Sequence, residues 1–195
     1  MDVEEGFELI RSFLAIELPR HIMEKIEEVQ KDLKSSRADV RWVSPEKIHL
    51  TLKFFGNIDE TMIDSIVNSI EGPVHKTSPF SLLARRIGAF PHLKNPRVIW
   101  MGLEDSKEAL APFQKEVELK LKEIGFEPED RPFRPHLTIG RVNSNRGRNE
   151  LLGMVEKHLE EEFGEFAVER VILFRSDLRP SGPIYTPLKD LKLEG

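Results

Sequence analysis

The sequence predicts an α+β fold, a bilobal pseudo-symmetric duplication. Two mostly antiparallel sheets face a central cleft, with helices on the outside. Three observations carry this reading. The same phrase occurs twice, as His49-Leu50-Thr51-Leu52 and His136-Leu137-Thr138-Ile139. Each copy lies in a strand-like run that is followed by an amphipathic helical run. No intervening stretch is rich enough in Gly, Ser or Pro to separate independent domains. Residues 1–195 therefore read as one bilobal domain, with 1–10 as an N-terminal extension.

The elements follow in order. Arg11 to Glu17 reads as a strand ended by Pro19. Ile22, Met23, Ile26, Val29 and Leu33 recur at helical spacing. Arg41 to Val43 is a short extended piece before Ser44-Pro45, and Ile48 to Phe55 is a strand stopped by Gly56-Asn57. Asp59 caps a helix carrying Met62, Ile63, Ile66, Val67 and Ile70. Strands around Phe80–Ile87 and Arg97–Leu103 are joined by a loop holding Pro91 and Pro96. Leu110, Phe113, Val117, Leu121 and Ile124 mark a helix that Gly125 stops. Phe133 to Val142 is a strand, and Leu151, Leu152, Val155, Leu159 and Phe163 mark another helix. Phe166–Phe174 and Ile184–Leu191 close the fold around a turn at Pro180-Ser181-Gly182-Pro183.

With 195 residues the chain can bury a sizeable core. Its 39% hydrophobic and 32% charged residues are ordinary for a globular protein. No apolar run approaches the roughly 18 residues of a membrane span. The acidic start, Met1 to Leu9, lacks the basic and apolar pattern of a signal peptide. Cysteine is absent, which removes disulfides, thiolate nucleophiles and cysteine metal sites. These features fit a cytoplasmic protein, and a monomer is the expectation. The net charge of −5 argues against broad binding of nucleic-acid backbone. An RNA would have to be engaged locally, for instance at an end. Arg131, Arg134, Arg141, Arg146 and Arg148 surround the second phrase and supply local positive charge.

In a strand, residues two apart share a face. Each phrase thus presents His and Thr to one side and anchors itself with two apolar residues on the other. Two such strands bring two imidazoles and two hydroxyls to one cleft. Histidine titrates near neutrality, so one can take a proton while the other gives one. The hydroxyls of Thr51 and Thr138 can donate to phosphate oxygens. The pattern therefore points to phosphoester chemistry without a metal or other cofactor. Metal sites recruit three or four clustered ligands, and neither histidine has a local partner. His21, His75, His92 and His158 lack this context and read as surface residues.

The phrases and their flanks resemble the two-histidine phosphoesterases, in the branch of RNA 2′,3′-cyclic phosphodiesterases also called 2′-5′ RNA ligases. The matching segments are Arg11-Ser12-Phe13-Leu14-Ala15-Ile16, Arg41-Trp42-Val43 and His49 through Gly56. They continue with Gly88-Ala89-Phe90-Pro91, Arg97 through Gly102, Pro135 through Arg141, and Gly182-Pro183-Ile184-Tyr185. The resemblance implies hydrolysis of RNA 2′,3′-cyclic phosphate ends to 2′-phosphate, and reversible ATP-independent joining of tRNA halves. It implies His49 as proton donor and His136 as proton acceptor, and places Phe54 and Arg141 at positions of the substrate cleft, where Arg141 would meet the phosphate and Phe54 a base.

Phe54 and Arg141 each lie five residues after their histidine. Five is odd, so a regular strand turns both away from the histidine face. A bulge, for instance at Gly140, or the strand's end would redirect them. Lys53 shares parity with His49 and Thr51, which places it at the cleft rim or in solvent. Tyr185, the only tyrosine, either stacks on a base or closes a sheet; Arg134 is a further candidate for substrate binding. Trp42 and Trp100 read as core or wall. Two other functions remain compatible with the motifs: a phosphodiesterase for small cyclic or 2′-5′-linked nucleotides, and a binding module for RNA ends without turnover.

Overall fold

A computed structural model of the chain describes residues 9–180 and 182–195. Its first sheet runs β3 (His49–Asp59), β1 (Leu9–Glu17), β8 (Arg170–Asp177) and β9 (Ile184–Lys192). The second runs β2 (Val40–Trp42), β6 (His136–Val142), β5 (Val98–Glu104), β4 (Phe80–Phe90) and β7 (Glu162–Val168). Every pairing is antiparallel. Helices α1 (Arg20–Lys34) and α4 (Arg148–Glu156) pack with each other and on the second sheet; α2 (Met62–Lys76) and α3 (Leu110–Glu123) pair over the first. The first lobe takes strands from both ends of the chain, and the second takes all of its strands from the stretch between Val40 and Val168. The duplication lies in the architecture, and neither half of the sequence is a lobe by itself.

One continuous core fills the space between helices and sheets. Strand β1 is apolar on both faces. Ile10, Leu14 and Ile16 enter that core, while Phe13 and Ala15 join Ile172 and Phe174 of β8 in a second cluster. Tyr185 of β9 packs against this second cluster, which floors the first lobe on its cleft side.

The feature that most affects the site is a bulge in each motif strand. Along β1, Leu14 faces Lys53 and Ala15 faces Thr51, so Leu52 is the extra residue in β3. Along β5, Ile99 faces Gly140 and Trp100 faces Thr138, so Ile139 is the extra residue in β6. The two bulges fall at the same place, three residues after the histidine. In consequence Leu52 and Lys53 are both buried, as are Ile139 and Gly140, and the alternation restarts one residue out of phase. Gly140 is needed at its bulge: a Cβ there would stand 2.9 Å from Val40 Cγ1 and 3.0 Å from Trp42 Cε3.

Several element boundaries differ from the expectations. Leu9 and Ile10 belong to β1, while the rest of the expected extension lies outside the described residues, as does Ser181 of the closing turn. Strand β6 starts at His136, because Pro132 and Pro135 bring no N–H to a ladder. Strand β3 continues through Gly56-Asn57 to Asp59. Asp59 accepts from the Thr61 N–H and hydroxyl instead of capping α2. Helix α4 ends at Glu156, and Phe163 lies in β7. The expected strand Phe166–Phe174 divides at Glu169 into β7 and β8, which belong to different sheets. Gly125 does stop α3, at φ +97°, a backbone conformation that glycine adopts without strain.

Candidate active site

The two histidines are held in the same way. His49 Nδ1–H donates to the Lys47 carbonyl at 3.2 Å, and His136 Nδ1–H donates to the Arg134 carbonyl at 2.7 Å. In each lobe the acceptor lies two residues before the ring. This fixes the Nδ1–H tautomer and leaves Nε2 free for chemistry. Arg134 thus contributes its carbonyl, and its side chain is exposed.

Aromatic rings set each imidazole. His49 stacks on Phe13 with centroids 4.5 Å apart and meets the edge of Tyr185 at 5.2 Å. Phe13 in turn stacks on Phe174. His136 meets Phe90 edge to face at 5.0 Å, and Phe90 leans on Trp100. Trp100 pairs with Thr138 across β5 and β6 and walls the second lobe. A hollow beside His49 is walled by Phe13, Phe174, Tyr185 and Pro187, whose rings offer faces for stacking.

Burial among these rings pushes the His49 pKa down to about 4, although the Lys47 carbonyl pulls it up. The imidazole is neutral in the empty cleft at pH 7. This has a consequence for stability. The unfolded chain protonates His49 near 6.5, and the folded chain does so only near 4. Stability therefore falls as pH drops through that window, by up to about 1.4 kcal/mol per pH unit. Urea unfolding of the wild type and His49→Asn at about pH 7 and about pH 4.5 checks this, either side of most of that window. The loss on acidification should be smaller in the variant; equal losses would refute burial of the His49 ring as its cause.

Thr51 and Thr138 follow their histidines with the same partial burial, and among the described residues neither hydroxyl has a hydrogen-bond partner. Past the bulges, Phe54 and Arg141 are back on the histidine face. Phe54 is 55% exposed and its ring tilts against Phe13, the ring beneath His49. Arg141 is exposed and its charge reaches Tyr185 from the opposite lobe. Burial raises the Tyr185 pKa, while the charges of Arg11 and Arg141 act against that rise. Tyr185 pairs with Ser176 in the sheet, the second of its two expected roles, and its ring also meets His49.

The structure corrects two expectations. Lys53 is not at the cleft rim: its ammonium is buried and pairs with Glu118 at 2.8 Å. The bulge at Leu52 turns it to the core side. His158 is not a surface residue either; its side chain is 13% exposed and contacts Asp32 and Glu161. Burial lowers its pKa most, but the two carboxylates together outweigh burial and raise it. Arg11 and Phe13 were missed as site residues. Strand β1 is apolar on both faces, which hides the side that meets the cleft. Among the described residues no group of three or more His, Cys, Asp or Glu is arranged to hold a metal ion, and no helix is long and apolar enough to cross a membrane.

The family described as LigT like phosphoesterase matches residues 16–100 and 102–185, one segment for each phrase. The chain belongs to the LigT-like phosphoesterase family. Among relatives of this family, the RNA 2′,3′-cyclic phosphodiesterase of Methanothermobacter thermautotrophicus is 36% identical over 184 residues, covering 94% of this chain and 99% of the relative. The protein of the same name from Aquifex aeolicus is 31% identical over 188 residues, covering 96% and 99%. The crystal structure of TT0787 from Thermus thermophilus superposes with a TM-score of 0.81 at 29% identity, covering 95% and 99%. Apo LigT of E. coli shares the fold at a TM-score of 0.76 and 24% identity, covering 96% and 99%.

Proposed function

We propose that this protein hydrolyses RNA ends carrying a 2′,3′-cyclic phosphate to 2′-phosphate ends, by acid–base catalysis from His49 and His136 without a metal. The observation that carries the reading is the twin arrangement itself. Two imidazoles, each locked through Nδ1 to a backbone carbonyl, present free Nε2 atoms beside a threonine and, past a bulge, Phe54 or Arg141. The relatives named RNA 2′,3′-cyclic phosphodiesterase support the substrate.

A water oxygen attacks phosphorus and gives its proton to His136 Nε2. The P–O3′ bond breaks, and O3′ takes a proton from His49 Nε2, leaving the phosphate on O2′. Thr51, Thr138 and Arg141 hold the phosphoryl oxygens, where charge accumulates. Phe54 and Tyr185 stack on the terminal base. His49 is neutral in the empty cleft, so its donor role needs the substrate. The anionic phosphate beside a desolvated imidazole favours its charged form and raises its pKa. The same steps in the same direction, with a 5′-hydroxyl RNA end attacking in place of water, would join tRNA halves through a 2′-5′ bond; their reverse would cleave it.

A defined oligoribonucleotide with a 2′,3′-cyclic end, incubated with enzyme in EDTA, tests this. The expected product carries a 2′-phosphate. A 3′-phosphate product would exclude the proposed leaving group, strict metal dependence would exclude the metal-free route, and absence of turnover would exclude the function.

A further inference from the structure

We infer that Gln30 and Gln114 form a matched pair of positioning residues, each holding one strand bulge and thereby aiming Arg141 or Phe54 into the cleft. Gln30 of α1 is 2% exposed, and its Nε2 donates to the Ile139 carbonyl at 2.9 Å and the Val43 carbonyl at 2.6 Å. Gln114 of α3 is 7% exposed, and its Nε2 donates to the Leu52 carbonyl at 3.2 Å. Ile139 and Leu52 are the bulged residues that precede Arg141 and Phe54; a further shift in β3, at Phe55, comes after Phe54. Two helices from different lobes thus present the same side chain to the same motif position, three residues after each histidine.

The physical need is clear. A bulge interrupts the ladder and leaves backbone groups without regular partners. A buried carbonyl in that state must be satisfied: that of Leu52 accepts from Gln114, and that of Ile139 accepts from Gln30 in addition to the Val43 N–H at 3.0 Å. An amide side chain supplies one without placing a charge in the core. In both lobes the amide also extends the contact. Gln30 spans to Val43, which itself donates to Ile139, and Gln114 touches Glu118. Without the amide, a regular strand would satisfy its own carbonyls, and residue five after the histidine would turn to the core side. His and Thr lie before the bulge and keep their face. The glutamines therefore govern the outer contacts more than the acid–base pair.

This inference rests on the proposed function for its kinetic readout. Gln30→Met keeps the side-chain volume and removes the donor. It should raise KM for cyclic-phosphate RNA by about tenfold to a hundredfold, the range expected for one lost charge-assisted phosphate contact, with kcat changed less than about threefold. Arg141→Gln should do the same, and the double variant should be no worse than Arg141→Gln alone. Additive losses, or an unchanged KM in folded Gln30→Met, would overturn the inference. Gln114→Met with Phe54→Ala forms the equivalent cycle in the other lobe and decides the matter if Gln30→Met does not fold. Failure of both methionine variants to fold would assign the glutamines to stability alone and also overturn it. A crystal structure separates this from the proposed function. If wild type lacks turnover, a regular β6 with Arg141 turned inward in Gln30→Met still supports the inference, whereas an intact bulge refutes it.

Discussion

His49→Ala and His136→Ala are each expected to lower kcat/KM on a 2′,3′-cyclic phosphate end by about 10²–10⁴-fold, the usual worth of one positioned acid or base. Steady-state kinetics on a defined oligonucleotide checks this; near-normal turnover by both variants would end the two-histidine reading. The double variant should lose little beyond either single, because groups that serve one proton-transfer step act as a unit. The two single variants should differ in stability. His49 stacks on Phe13 and against Tyr185, so truncation opens a gap in an aromatic cluster. His136 meets the edge of Phe90 at the more open side of the cleft, and its removal should leave unfolding nearly unchanged.

The two histidines also differ in their surroundings. His49 sits among Phe13, Tyr185 and the apolar second cluster, which hold its pKa at about 4. Under the proposed mechanism a neutral His49 could not donate, and the phosphate anion of the substrate would supply the charge that favours imidazolium.

The histidine face was legible because it obeys the simplest strand rule. His49 and Thr51, like His136 and Thr138, are two residues apart, and their apolar neighbours enter the core. That rule assumes a regular strand, and it fails at the first irregularity. The bulges at Leu52 and Ile139 are stabilised by Gln30 and Gln114, which lie on separate helices: Gln30 is 109 residues from Ile139, and Gln114 is 62 from Leu52. Gly140 is the one local hint of a bulge, in the second motif; the first motif carries none. Period-two alternation therefore puts Lys53 with the histidines and Phe54 and Arg141 away from them, and the structure reverses all three.

Other omissions have the same cause. Helical spacing through Leu159 and Phe163 is satisfied equally by a helix end and a strand start, and only the pairing of β7 with β4 decides between them. Strand β8 carries the unbroken run Val171-Ile172-Leu173-Phe174 because both its faces are buried, one in each cluster. Joined to β7, that run looks like one long strand. His158 is defined by Asp32 on α1 and by Glu161, contacts that a linear reading does not bring together.

Lys53→Met is expected to destabilise the fold by about 3–5 kcal/mol, the cost of leaving a buried charge without its partner. The Lys53 and Glu118 side chains are 3% and 9% exposed, and the ammonium also donates to the Glu127 carbonyl at 2.6 Å. Removing the lysine strands the Glu118 carboxylate beside Gln114. Such a loss is a large fraction of the roughly 5–15 kcal/mol typical of a folded domain. Replacing both partners, as Lys53→Met with Glu118→Leu, should recover most of it, since an apolar pair avoids the desolvation that the ion pair must offset. Urea unfolding of the two singles and the double measures the coupling; a change below about 1 kcal/mol for Lys53→Met would show that the charge is not held as described. The double variant also separates stability from positioning. Its Gln114 keeps the Leu52 carbonyl but loses the Glu118 contact, so any rise in KM that persists after stability returns is traced to the bulge beneath Phe54 and not to the fold as a whole.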